Sequence, residues 1–258
     1  MNKIGWCDET INPLIGCTKV SDACTNCYAE VMANRLAGMK YTKKCYNRVI
    51  TNGKWNGNVV FRRDELLKPD KWKKPKRIFI TSMGDLFHKN IFDSWLVSIL
   101  FMIVKNPQHT FIMLTKRPER MNYFFTNCAI NPFVNPPPNL WLGVTVENQI
   151  EAEHRIPILL NIPAKVHFIS CEPLLENINL ECWEEGGYPL GLIDELDWVI
   201  AGGETGTHAR ITPVEYFRDL RDQCWNADVP FFFKKIGSGI ETPKDLDIHE
   251  FPFFNLKR

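Results

Sequence analysis

The sequence predicts an α/β protein built as a (β/α) barrel of the TIM type, complete or partial, and three observations carry that expectation. From about residue 77 a β-rich run, a polar loop and a helical run recur in that order, the pattern of a parallel sheet with right-handed helical crossovers. The β-rich runs are apolar on both faces, as strands covered from both sides are. Polar residues gather where each run ends, on what would be the functional rim of such a domain.

The runs are 77–82 (RIFITS), 110–115 (TFIMLT), 140–146 (LWLGVTV), 166–170 (VHFIS), 198–201 (WVIA) and 230–234 (PFFFK). A short strand near the N-terminus brings the total to about seven. Helical runs fall at 28–37, 93–105, 117–126, 148–160 and 213–225. Residues 41–76 interrupt the repeat and read as an inserted hairpin segment, because Asn52-Gly53 and Asn56-Gly57 are turn dipeptides. Residues 176–196 form a Gly- and Glu-rich excursion. The expected organisation is one barrel domain over 1–237, including the insertion, and a tail over 238–258 that wraps the surface.

Composition narrows the classes. With 45% hydrophobic residues in 258, the chain can bury a core, which excludes disordered and fibrous classes. Thirty-one Lys+Arg against 30 Asp+Glu leave a net charge of +1, so a polyanionic partner must be argued from local patches. The apolar stretch from Trp95 to Val104 is about half of what spans a bilayer and reads as a core helix; the Phe231–Phe233 run likewise reads as core. The N-terminal MNKIGWCDET carries acidic residues where a secretory signal needs an apolar run, so the expected location is the cytoplasm, with no membrane partner. In that reducing compartment nine cysteines are not a disulfide framework, and some of them are free for chemistry.

The strongest motif is Gly16-Cys17-Thr-Lys-Val-Ser-Asp-Ala-Cys24-Thr-Asn-Cys27-Tyr28, a C-x6-C-x2-C spacing followed by a helical run. Three thiolates on one compact loop can hold three irons of a 4Fe–4S cluster and leave the fourth without a protein ligand. Such an iron can chelate the amino and carboxylate groups of S-adenosylmethionine and pass an electron into its sulfonium. A zinc site is the alternative, with Cys7, Cys45 or Cys171 as fourth ligand, although the usual second paired knuckle is missing. Burial of the three cysteines as small hydrophobes fits poorly among Thr, Lys, Ser, Asp and Asn. Cys128, Cys182 and Cys224 have no expected role.

The stretch NPLIGCTKVSDACTNCYAE, followed by TSMGDLF, LTKRP, GVTVEN, SCEPL and AGGETG, is similar to an uncharacterised phage-associated family whose members resemble radical S-adenosylmethionine enzymes. The similarity runs from about Trp6 to Gly237. It implies a barrel of the radical S-adenosylmethionine kind, a cluster on Cys17, Cys24 and Cys27, S-adenosylmethionine as cofactor and an electron donor protein as partner. Most members of that superfamily carry C-x3-C-x2-C, so the first gap here is longer. A Gly-Gly-Glu element that commonly holds the methionyl amine after the second strand is replaced there by Ser82, Gly84 and Asp85, the candidates for that contact; Gly202-Gly203-Glu204 ends a later strand. Asn26 stands where the superfamily often places an aromatic residue. Thr145, Glu147 and Asn148 close the fourth strand, where related enzymes bind the ribose and methionyl parts of the cofactor. The alternative for both Asp85 and Asn148 is a helix cap.

Further along the rim, Glu172 and Glu204 are carboxylates that bind cofactor or substrate, or else pair with Lys116 or Lys234. Lys116, Arg117, Arg120, His208, Arg210, Lys234 and Lys235 suggest an anionic substrate, a nucleotide or a nucleic acid, with Lys116, Arg117, Glu172, Glu204, Lys234 and Lys235 as candidate substrate contacts. The run 68–77 (KPDKWKKPKR) adds six basic residues and Trp72, either a phosphate-backbone contact or a solvated loop. His88 and His208 are candidate proton donors or ordinary loop residues. Two competing classes remain: a zinc-stabilised accessory or nucleic-acid-binding protein, and a barrel hydrolase using Asp85, Glu172 and Glu204 with a divalent metal.

Overall fold

The computed structural model describes residues 4–133, 135–181 and 191–252. Seven strands follow one another in sequence order: β1 (Glu9–Ile11), β2 (Arg77–Ile80), β3 (Thr110–Thr115), β4 (Leu140–Thr145), β5 (His167–Cys171), β6 (Trp198–Ala201) and β7 (Phe231–Phe233). The registered pairs β1–β2, β2–β3, β5–β6 and β6–β7 are all parallel. The chain forms two compact units, Met1–Leu142 with Asn161–Lys165, and Gly143–Leu160 with Val166–Arg258, so the boundary falls inside β4.

In the first unit, β1 to β3 bury Ile11, Ile78, Ile80, Phe111 and Ile112 completely, which is why these runs carry no polar alternation. Helices α1 (Tyr28–Gly38) and α2 (Lys43–Tyr46) precede β2, α3 (Asp93–Lys105) follows it, and α4 (Pro118–Thr126) follows β3. Pro118 opens α4, where its missing N–H costs no hydrogen bond; the helix therefore starts one residue after the expected 117. The Trp95–Val104 stretch is core on one face only. Leu96, Ile99, Leu100 and Ile103 are buried, while Phe101 and Val104 lie on the opposite side of the helix and are exposed.

The insertion is a hairpin of Ile50–Thr51 and Lys54–Trp55. Asn52 and Gly53 both sit at positive φ, 52° and 77°, the turn geometry that an Asn-Gly pair favours. Asn56-Gly57 closes the segment differently, with the Asn56 side-chain amide donating to the Arg48 carbonyl at 3.2 Å. Ala29, Ala33, Tyr46, Val49, Ile50 and Val60 make an apolar cluster beneath α1, with Cys27 and Cys45 packed against it.

In the second unit, α5 (Gln149–Leu160) and α6 (Val214–Asn226) flank β5 to β7. α6 presses Phe217 onto Phe233 with ring centroids 5.0 Å apart, and all of Phe231–Phe233 is buried. Gly143 interrupts a strand because a Cβ there would lie 2.4 Å from the Phe168 ring. The tail does more than wrap the surface: His249 bridges Phe232 in antiparallel sense, and the Glu250 N–H donates to the Phe231 carbonyl at 3.1 Å. These contacts satisfy backbone groups along β7. Residues 182–190 of the expected excursion, and Cys182 with them, lie outside the described residues. Among the described residues no helix is long and apolar enough to cross a membrane.

Candidate functional site

In the first unit, two glycines bring the cysteine loop onto the end of β2. The Gly16 N–H donates to the Met83 carbonyl at 3.0 Å, and Gly16 bridges Gly84 in parallel sense. A Cβ on Gly84 would fall 2.7 Å from the Gly16 carbonyl oxygen, so the room that Gly84 leaves is filled by the backbone just before Cys17. Thr81, between β2 and this contact, sits at φ 69°. A β-branched residue there is strained by roughly 1–3 kcal/mol, and such strain concentrates at functional positions. Asn12 ties the segment down: its Oδ1 accepts from the Ser82 hydroxyl at 3.2 Å and from the Met83 N–H at 3.0 Å.

Asp85 is 6% exposed. Its Oδ1 accepts from the Phe87 N–H at 2.9 Å and the Thr115 hydroxyl at 2.7 Å. Its Oδ2 accepts from the Lys116 N–H at 3.2 Å and from Arg117 Nη1 at 3.0 Å. The carboxylate thus joins the ends of β2 and β3, and it closes a local turn rather than capping α3, which begins eight residues later at Asp93. Arg117 continues the chain of contacts. Its Nη2 donates to the Thr18 carbonyl at 3.0 Å and hydroxyl at 2.8 Å, and its Nη1 reaches Cys17 Sγ at 3.9 Å. Burial opposes the Arg117 charge, but Asp85 and Cys17 beside it more than offset that and raise its pKa.

Cys17, Cys24 and Cys27 are free and half-buried. Cys24 closes a 3-10 turn, Asp22–Cys24, and Cys27 stands immediately before the first turn of α1. Burial, with Asp85 adding and Arg117 opposing, pushes the Cys17 thiol up to about 12; Cys24 and Cys27 are near enough to contribute electrostatically. Among the described residues no three His, Cys, Asp or Glu side chains close to metal-ligating distance. The donor set still suits a cluster: three unoxidised thiols within eleven residues, where metal ligation itself supplies the energy that gathers them. Of the cysteines considered as a fourth ligand, Cys7 is buried and Cys45 packs against the apolar cluster beneath α1.

His88 is fully buried. Its Nδ1 accepts from the Asn90 N–H at 3.2 Å, so the proton belongs on Nε2, which faces the Thr18 hydroxyl at 3.1 Å. Burial first, and Arg117 second, lower its pKa to about 4 against the opposing pull of Asp85. Protonation would also set an N–H against the Asn90 N–H. The folded state therefore binds this proton less readily than the unfolded chain. Stability is expected to fall as pH drops from 6.5 towards 4, by up to about 3 kcal/mol, and urea midpoints of wild type and His88→Gln across that range check it: the variant should lose most of that slope.

In the second unit, Glu147 and Arg155 are both buried. Arg155 Nη1 donates to Glu147 Oε2 at 2.9 Å and to the Thr145 carbonyl at 2.7 Å; its Nη2 lies 2.7 Å from Glu151 Oε2. Glu147 Oε1 is buried with no hydrogen-bond partner among the described residues. Asn148 Oδ1 accepts from the Glu151 N–H at 2.9 Å, an N-cap to α5. Glu172 pairs with Lys234 at 2.9 Å, and Glu204 holds the backbone and guanidinium of Arg210. Lys235 lends its carbonyl to the Gly203 N–H at 2.8 Å. Cys171 is fully buried, and burial above all pushes its thiol well above the usual range.

Much of the basic run 68–77 is paired within the first unit. Lys68 meets Glu65, Lys76 meets Glu9 and Arg77 meets Asp8, while Lys76 also lies over the Trp72 ring. Arg120 is joined to Asp93. Reading the sequence did not single out Asn12, Thr18 or Thr115. Asn12 and Thr18 lie in the stretch NPLIGCTKVSDACTNCYAE and Thr115 in LTKRP, a signal that marks the three positions without giving any of them a role.

A family profile described as a protein of unknown function (DUF5131) matches residues 1–246. No curated protein matches the chain. Among solved structures, a mutant of spore photoproduct lyase is similar at a TM-score of 0.48 and 12% identity, covering 87% of this chain and 75% of that one. That likeness is too slight to carry an argument.

Proposed function

We propose that this chain, which belongs to the DUF5131 family, is a radical S-adenosylmethionine-type enzyme with a 4Fe–4S cluster on Cys17, Cys24 and Cys27. The observation that carries the reading is a loop of three free thiols that meets the strained end of β2 at Gly16 and sets the Cys17 sulfur beside a guanidinium. Bound there, a cluster with one iron lacking a protein ligand supplies a chelation point for S-adenosylmethionine and the electron that cleaves its sulfonium.

The chain's own residues have separable roles. Arg117 sets a cation and an N–H against the Cys17 sulfur, which favours the thiolate that metal binding requires. Asp85 acts by holding Arg117, since its oxygens are already engaged by four protein donors. Ser82 donates to Asn12, which leaves its hydroxyl lone pairs to accept from the methionyl ammonium. In the second unit the unpartnered Glu147 Oε1 is an acceptor for a ligand hydroxyl, aimed by Arg155. An anionic substrate, a nucleotide or nucleic acid, is supported in the first unit by Lys116, whose ammonium group has no acidic partner among the described residues.

Anaerobically reconstituted protein, mixed with S-adenosylmethionine and dithionite, is expected to form deoxyadenosine on chromatography. An intact cluster that neither binds S-adenosylmethionine nor yields deoxyadenosine would sink the assignment.

A further inference from the structure

We propose that the Asp85–Arg117 ion pair sets the reduction potential of the cluster through the Cys17 sulfur, Arg117 holding the potential up and Asp85 holding it down; this rests on the cluster reading above. Both charges act on one cysteine. Arg117 Nη1 lies 3.9 Å from Cys17 Sγ and 3.0 Å from Asp85 Oδ2, so one guanidinium nitrogen serves the sulfur and the carboxylate together. Their fields on the thiol oppose each other, Asp85 raising the Cys17 pKa and Arg117 lowering it. An electron that enters an iron–sulfur centre is shared with its sulfur ligands, so a cation or N–H beside a ligand sulfur favours the reduced state and an anion favours the oxidised one. Asp85 then does more than hold Arg117.

Neither charge depends on the sulfur for its place. Arg117 Nη2 is held by the Thr18 carbonyl at 3.0 Å and hydroxyl at 2.8 Å, and the Arg117 backbone N–H donates to the Thr115 hydroxyl at 2.9 Å. Asp85 is held by the Phe87 N–H, the Thr115 hydroxyl and the Lys116 N–H. The charges are therefore fixed before an electron arrives and need not reorganise when it does. The Arg117 and Asp85 side chains are 13% and 8% exposed, so water and salt screen them little. Lys19 on the same loop is the contrast, with a side chain 44% exposed and paired with Glu30. A buried ion pair is weak evidence for stability on its own. Set against a proposed ligand sulfur, a charge of each sign has an electrochemical consequence: the cation eases uptake of the electron, and the anion makes the electron, once taken up, a stronger reductant.

The test uses the full chain, reconstituted anaerobically and titrated with dithionite in the presence of redox mediators, the reduced cluster being counted by low-temperature electron paramagnetic resonance. Dithionite supplies one electron and the cluster gains it; no bond in the protein forms or breaks. At the wild-type midpoint, Arg117→Gln should lower the ratio of reduced to oxidised cluster about tenfold, a downward shift of about 59 mV, and Asp85→Asn should raise it by about as much. Arg117→Lys keeps the charge and should move the midpoint less than half as far as Arg117→Gln. Lys19→Gln should also move it less than half as far, and the Arg117 and Asp85 shifts should persist in roughly 0.5 M salt. Either substitution in the pair loosens the same contacts, so loosening alone would move both midpoints in one direction. The proposal is overturned if the Arg117→Gln and Asp85→Asn midpoints move the same way, if neither moves, or if Lys19→Gln matches Arg117→Gln. Should Arg117→Gln assemble no cluster, Asp85→Asn decides: an upward shift supports the proposal and its absence overturns it. Iron and sulfide assays on every sample keep two failures apart. A wild type without a cluster overturns the cluster reading and this proposal with it, whereas full clusters with unmoved midpoints overturn this proposal alone.

Discussion

Cys27→Ala is expected to yield a folded protein that no longer retains iron and sulfide: after anaerobic reconstitution and desalting, iron should fall from about four per chain to below one. Removing one of three protein ligands leaves two irons without a side-chain donor, and the cluster's hold on the loop goes with it. The fold should survive, because Cys27 is half-buried at the edge of its cluster; loss of a partly exposed thiol costs about 1 kcal/mol or less. Cys24→Ala should behave the same way. Cys45→Ala is the informative contrast. With three ligands and one open iron it keeps its full iron content, whereas a four-cysteine site that used Cys45 would lose its metal. Iron and labile-sulfide assays beside far-ultraviolet circular dichroism read both outcomes, and full iron in Cys27→Ala contradicts the assignment.

Arg117→Ala is expected to cost about 3 kcal/mol in urea denaturation of the apoprotein. The substitution leaves Asp85, whose side chain is 8% exposed, without the cation that balances it, and it unties the Thr18 carbonyl and hydroxyl. Arg117→Lys keeps the charge but cannot reach Asp85, Thr18 and Cys17 together, so about half of the loss should remain. Adding Asp85→Asn to Arg117→Ala should recover part of it, because the buried charge that Arg117 had answered is gone. A loss under about 0.5 kcal/mol for Arg117→Ala would mean that solvent already screens this pair.

The order of strands and helices was legible because apolar period and length are properties of short windows. α3 begins and ends where its pattern does, and Asn52-Gly53 states its own turn. Helix starts slipped by one residue at Pro118 and Gln149, where the preceding residue is non-helical or a cap and belongs to the pattern but not to the helix. The cysteine triad was legible as a spacing. What surrounds it was not, because its partners come from 70 and 100 residues away: His88 reaches Thr18, and Arg117 reaches Cys17. Gly84 is the clearest case. Its sequence context suggests room for a ligand, and only the fold shows Gly16 occupying that room. The charges of the 68–77 run were countable, but their neutralisation by Asp8, Glu9 and Glu65 was not, since a count carries no pairing.

The metal and sulfide content of the wild-type protein, purified and reconstituted without oxygen, tests the central claim most directly. About four iron and four sulfide per chain, with a brown colour that bleaches on reduction by dithionite, is the result expected of a cluster on Cys17, Cys24 and Cys27. One zinc per chain, with no sulfide and no colour, would contradict it.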